Sequence, residues 1–254
     1  MKNRSSLPSL CSLAALLLSQ LACNTFFPPK PDIEWTTDPE TIVIQASFGG
    51  GLVPQNFALN AVPDAQVWGD GHIIWVDYDT HGARRVLEGY LTTAQMETYL
   101  GQVVNAGFFG WENFYSNPDV YDAGTQCLSI HLASESKSVC EYFEGAPSAY
   151  HKLYNEVAGG LAMEGSDYVP TRGYLTAWAI GDLYSQPVAL HWPADSVGLS
   201  LREAQGGVWV EGEALELAWR TLNTNLYAIV QEGDAYYQLV VQVPGVSQSE
   251  PPAP

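Results

Sequence analysis

The sequence predicts an α+β fold: an antiparallel β-sheet with helices packed on one face, followed by a smaller C-terminal α/β segment. Three observations carry this. Short runs of alternating apolar residues recur between glycine-rich turns over residues 41–163 and again over 167–246. Gly69-Asp70-Gly71 separates two such runs, Ala65–Trp68 and residues 72–76, the signature of a β-hairpin. A helix start is written out at Thr92, with Gln95 three residues later as the second half of a capping box. Of the 254 residues, 46% are hydrophobic and only 15% are charged, which is enough to bury a real core and excludes a disordered chain.

Taken in order, the chain begins with an export signal. Lys2 and Arg4 form a positive stretch, and residues 10–18 are apolar but too short to span a bilayer. Ser19-Gln20-Leu21-Ala22-Cys23 resembles the lipobox of bacterial lipoproteins, which implies cleavage after residue 22 and acylation of Cys23. It departs from that pattern at Gln20, where leucine is usual. Residues 23–40, with Pro28, Pro29, Pro31 and Pro39, read as a tether.

The domain over 41–163 then opens with a strand at Ile42, Val43 and Ile44, followed by the glycine loop Gly49, Gly50 and Gly51. After the Asp-Gly hairpin comes a strand over 86–91. Leu91 and Met96 stand at the two positions of a hydrophobic staple around Thr92. Met96, Leu100, Val103 and Val104 form one apolar helix face, and Gly107 closes the helix. Residues 125–132 and 138–143 read as a second hairpin. A second helix starts near Pro147, with Tyr150, Leu153, Val157 and Leu161 on one face.

In the smaller segment, residues 174–180, 208–210, 226–230 and 235–243 read as strands and 214–222 as a helix. Residues 247–254 read as a disordered tail.

The net charge is −18, and it becomes −20 once residues 1–22, with Lys2 and Arg4 and no acid, are removed. This argues against nucleic acid and against electrostatic adhesion to anionic lipid, so membrane contact has to come from the anchor. Cys127 and Cys140 flank a short polar stretch between two strand runs. They read either as a disulfide, which an exported protein can keep, or as two small buried residues.

No sequence motif announces catalysis. Asp77, Asp79, His81, Gly82 and Glu88 fall at calcium-loop spacing, with Asp77, Asp79 and Glu88 as candidate ligands. Against them stand a poor ligand at His81, two arginines inside the loop and strand-like flanks. Ser134-Glu135-Ser136-Lys137 has the Ser-x-x-Lys spacing but lies in a hairpin turn. His72, His81, His131, His151 and His191 show no zinc spacing. Trp192, Tyr236 and Tyr237 are candidates for an exposed glycan-stacking surface, with core packing as the alternative.

The order of Gly49, Gly50 and Gly51, Gly69-Asp70-Gly71, Leu91-Thr92, Gln95, Ala106-Gly107-Phe108-Phe109, Tyr115, Asp122 and Pro147 resembles a widespread bacterial domain of unassigned activity found in secreted proteins and lipoproteins. Members of that family often carry a cysteine pair in the glycine-rich loop, which this sequence lacks. The layout is also similar to emfourin-type metalloprotease inhibitors. That resemblance implies an inhibitory loop over residues 48–55, with Phe48, Gly49, Gly50 and Gly51 at its start. The expected function is a non-catalytic, lipid-anchored cell-envelope protein that binds another protein or a surface polymer, with no cofactor. Protease inhibition through the glycine loop and a hydrolase with a dispersed active site are the alternatives.

Overall fold

The computed structural model describes residues 32–80, 83–117, 119–181 and 187–253. The signal sequence, Cys23, the first part of the tether, His81 and Gly82 lie outside the described residues.

The elements run β1 (Ile42–Gly49), α1 (Gln55–Leu59), β2 (Ala65–Trp68), β3 (His72–Tyr78), β4 (Arg84–Tyr90), α2 (Thr93–Ala106), β5 (Phe114–Ser116), β6 (Thr125–His131), β7 (Ser136–Tyr142), α3 (Ser148–Ala158) and β8 (Ser166–Asp167). There follow β9 (Arg172–Ile180), β10 (Val188–His191), α4 (Ala194–Val197), β11 (Val208–Glu211), α5 (Glu213–Thr224), β12 (Ile229–Glu232) and β13 (Ala235–Gln242). The fold is α+β, with an eight-stranded sheet in the order β5-β7-β6-β1-β2-β3-β4-β8 and a five-stranded sheet in the order β10-β12-β13-β9-β11. Most pairs are antiparallel, but β5 runs parallel to β7 and β10 parallel to β12, so both sheets are mixed.

Helix α2 forms as its sequence dictates. The Thr92 hydroxyl accepts from the Gln95 amide, the Gln95 side chain accepts from the Thr92 amide, and Gly107 closes the helix in the left-handed region at φ 81°. Its buried face, Met96, Leu100, Val103 and Val104, meets Tyr150, Leu153 and Val157 of α3 over one face of the large sheet. Leu161 is not on that helix, which ends at Ala158. Gly160 turns the chain at φ +68° where a Cβ would sit 2.5 Å from the Trp75 ring, and Leu161 follows at φ 53°.

The other face of the large sheet divides in two. Under β2, β3 and β4, the side chains of Trp68, Ile74, Val76 and Val86 share one core with Leu175, Leu239 and Val241 of the small sheet and with Leu215, Trp219 and Leu222 of α5. The smaller segment is therefore packed onto the first sheet rather than set apart from it. Under β6 and β7, the side chains of Ser129, His131 and Ser138 stay polar.

Two expectations about loose chain need correction. The end of the supposed tether is docked: Trp35 Nε1 donates to Gly69 O at 3.2 Å, and Glu34 O accepts from Ala133 N at 2.7 Å. The C-terminal tail is also packed over the described residues 247–253. Ser247 is buried and its hydroxyl accepts from Val243 N at 2.8 Å, while Gln248 N donates to Ala61 O at 2.8 Å. Its polar, proline-rich composition hid a turn held by buried Val243 and Val246.

Candidate functional site

Strand β1 starts at the end of the sheet where residues 33–35 dock, and it finishes about 25 Å away, at the opposite end. There the glycine loop meets the β5–β6 connection and the end of β7. Gly50 and Gly51 have φ +82° and +73°, a region that only glycine enters without cost. Gly51 stands against Asp122, and the Phe48 ring lies over Gly124 so closely that a Cβ at residue 124 would fall 2.2 Å from it. Ala123 N donates to the Tyr142 hydroxyl at 2.9 Å, which ties the connection to β7.

These contacts gather exposed apolar side chains at one tip: Phe48, Leu52 (90% exposed), Val53, Tyr121 (83%) and Phe143. Two non-glycine residues there adopt positive φ, Asp122 at 59° and Phe143 at 73°. Asp tolerates that conformation, whereas for phenylalanine it is costly, and Phe143 is nonetheless exposed there. A hollow of about 200 Å³ lies between Phe48, Gly49, Gly50 and Val53 on one side and Phe57, Ala61 and Gln248 on the other. Gly49 leaves room for the Gln248 amide, which would stand 2.6 Å from a Cβ.

Behind the tip runs a row of titratable groups on the helix-facing side. Glu141 is buried and accepts from Ala146 N at 2.8 Å and pairs with His151 Nε2 at 2.7 Å. The Tyr150 hydroxyl donates to Gln126 O at 2.8 Å, and the Tyr154 hydroxyl donates to Asp64. Burial pushes the Asp64 carboxyl above its ordinary value near 3.8, against the lowering effect of the Tyr154 hydroxyl, and burial also pushes both tyrosines up. Because these groups satisfy one another, the row reads as a brace between β6, β7 and α3.

The sign of the Asp64 effect gives a prediction. A carboxyl raised in the folded state is favoured when neutral, so folding loses stability as pH rises from the unfolded value through the folded one. Asp64→Asn should therefore gain on the wild type as pH rises above about 4, and the two should converge below that. Urea unfolding of both proteins at acid and neutral pH reads this. A wild type that gains on the variant with rising pH would overturn the assignment.

The calcium reading is corrected. Asp77 stands opposite Arg85, and Glu88 opposite Ile74, three residues further along β3. That separates the two carboxylates by about 10 Å along the strands. Glu88 is paired with His72 at 3.2 Å, and Asp79 Oδ1 accepts from Ala83 N at 2.9 Å within the turn. Among the described residues no group of three His, Cys, Asp or Glu is placed to hold a metal. A strand pair, unlike a helix-flanked loop, spreads its ligands along two extended chains.

Lys137 of the Ser-x-x-Lys stretch donates to Phe109 O at 3.2 Å and Trp111 O at 2.5 Å and so anchors a loop. Trp192 and Tyr237 are buried, the former donating to Leu199 O at 2.8 Å, so they form no glycan platform. Cys127 and Cys140 are opposite partners in the β6–β7 register and form a disulfide with S–S 2.08 Å.

Sequence reasoning missed Arg84. An Arg84-Arg85 pair beside a turn reads as solvated, yet Arg84 is only 4% exposed. The one available signal was its phase: it precedes Val86 by two residues and so shares that residue's face of β4. No protein-family model matches the chain, and no curated protein matches it.

Proposed function

We propose that this chain is an exported, lipid-anchored envelope protein that binds another protein through the tip of its larger sheet. The observation that carries this is the gathering of Phe48, Leu52, Val53, Tyr121 and Phe143 at the end opposite the docked residues 33–35. An exposed apolar patch of this kind marks interaction surfaces. The nine steps of chain from Cys23 to Asp32 reach at most about 30 Å, so an anchor at Cys23 would keep the near end close to the membrane, with the tip at the far end. Leu52 and Val53 are aliphatic knobs, suited to a protein pocket, whereas sugar rings stack on flat aromatic faces. Protease inhibition is the sharper form of the same reading, with Leu52 at the crest of the glycine loop as the side chain a cleft would take. The hydrolase reading draws less support, because Glu141, His151, Asp64 and Tyr154 are engaged with one another.

The test is a crosslinked capture from the source envelope with the full chain, alongside a Leu52→Asp/Val53→Asp variant and metabolic fatty-acid labelling. The wild type should capture one dominant protein, and the variant should lose it by about thirtyfold or more, the scale of an interface hot spot. Its unfolding free energy should stay within about 0.5 kcal/mol, as for other surface changes. The fatty-acid label should vanish in Cys23→Ser. Capture that survives in the variant, capture of a polymer alone, or an unlabelled wild type would each overturn the corresponding half of the proposal.

A further inference from the structure

A second feature lies at the seam of the two sheets, where β4 meets α5. A cleft of about 500 Å³ is lined there by Arg84, Arg85 and Arg220, by Asn223, and by the apolar surfaces of Tyr168 and Trp219. That volume is within the range of small-ligand pockets. Only seven lysines and arginines occur between residues 32 and 253, and three of them meet at this cleft, in a chain of net charge −18.

The three guanidiniums are not equivalent. Arg85 is paired with Asp167 at 2.7 Å and Arg220 with Glu216 at 3.7 Å, all four side chains being exposed. Arg84 is buried, and among the described residues no carboxylate pairs with it. Its Nε donates to Asn223 Oδ1 at 2.7 Å, its Nη1 donates to Asn60 O at 2.6 Å, and its Cζ lies 5.2 Å from the Trp219 ring centre. Its Nη2 is buried and makes no hydrogen bond. Burial pulls the guanidinium down to about 10, the mark of a charge that its neutral partners do not balance.

A guanidinium serving only as a pin between the two sheets would be expected to meet a carboxylate, as buried cations generally do. Here the unbalanced charge and the unpaired donor belong to a residue that lines a cleft, the donor itself lying just beneath the surface. The cleft's three guanidiniums stand against two carboxylates, Asp167 and Glu216, which leaves one net positive charge. That balance suits a monoanion and disfavours a phosphate dianion.

We propose that this cleft binds a small organic carboxylate carried on an apolar or aromatic body. Arg84 Nη2 and the Asn223 amide hold the carboxylate, Arg220 supplies long-range attraction, and Tyr168 and Trp219 flank the apolar body. Because Nη2 is covered in the structure, binding includes a small outward shift of the side chains above it.

Calorimetric titration of the full chain with phenylacetate, phenylacetamide and inorganic phosphate tests this. Phenylacetate should bind at one site, at least about tenfold tighter than phenylacetamide, and should weaken as sodium chloride is added. Arg84→Gln should abolish binding. Arg220→Gln, which alters an exposed side chain and should leave the fold intact, should weaken it several-fold; Asn223→Ala should do so too, with its folding checked by urea unfolding because it removes the acceptor of Arg84 Nε. Equal affinity for phenylacetate and phenylacetamide, tighter binding of phosphate, unchanged binding in Arg220→Gln and Asn223→Ala, or no saturation below about 10 mM would each overturn the proposal. None of these residues belongs to the apolar tip, so this site and the tip stand or fall separately.

Discussion

Asn60→Ala is expected to lower the unfolding free energy by about 2–5 kcal/mol, the cost of leaving two buried backbone groups without partners. Asn60 is fully buried at the end of α1. Its Nδ2 donates to Leu239 O at 3.0 Å, and its Oδ1 accepts from Val241 N at 2.8 Å. The reason lies in the small sheet. Strand β12 pairs with β13 only as far as Gln238, so Leu239 and Val241 present a carbonyl and an amide on a side where no strand continues. The Asn60 amide fills both, as one residue of a neighbouring strand would. Its own carbonyl receives Arg84 Nη1, so the same residue joins α1, β4 and β13. The loss should appear in urea unfolding as a lower midpoint with one transition and an unchanged slope, because Asn60 couples the two sheets rather than stabilising one. A loss under about 1 kcal/mol would mean that water replaces the amide and that the seam holds without it.

How much of this was legible follows from what local sequence encodes. The capping box of α2, the Gly69-Asp70-Gly71 turn and the β6–β7 pairing are set by neighbours in the chain, and the sequence shows them. The burial of both faces of β3 was also written there. Ile73-Ile74-Trp75-Val76 is an unbroken apolar run, as strands covered on two sides are, with Ile73 and Trp75 toward the helices and Ile74 and Val76 toward the small sheet. Strand β6 alternates instead, with Leu128 and Ile130 inward and Ser129 and His131 on the polar side. The contrast between the two strands marks which half of the sheet is covered on both faces, but that the smaller segment is what covers it is seen only in the fold.

The sites were less legible because they depend on distant partners. The glycine loop could be read as a loop, but its contacts with Asp122 and Gly124 join residues about seventy apart in sequence, as only the fold can. Asn60 meets its partners about 180 residues away, and Arg84 meets Asn223 across 139. A polar side chain beside a turn carries the same local signature whether it is solvated or buried against a remote strand. For that reason Asn60 and Arg84 carried little readable signal, whereas most of the apolar faces did.

The disulfide gives the second large effect. Cys127 and Cys140 close a loop with a sequence separation of 13, and on chain entropy alone such a link contributes about 3 kcal/mol. It acts where the sheet is least supported. The outer face of β6 and β7 is polar, and beyond β7 only the short β5 completes that edge. The double variant Cys127→Ser/Cys140→Ser, or the wild type under reductant, should unfold at lower urea by about that amount. Phe143 follows β7 directly and Tyr121 precedes β6, so loosening this hairpin should also weaken any partner bound at the tip. The expected result links compartment to function: chain made without residues 1–22 should stay in a reducing cytosol with three alkylatable thiols, Cys23, Cys127 and Cys140, be less stable and bind less well, whereas exported chain, with Cys23 acylated and the other two paired, should resist alkylation. Serine variants as stable as the wild type would show that pairing between β6 and β7 suffices to hold the tip, and export would then bear on where the protein sits rather than on how well it folds.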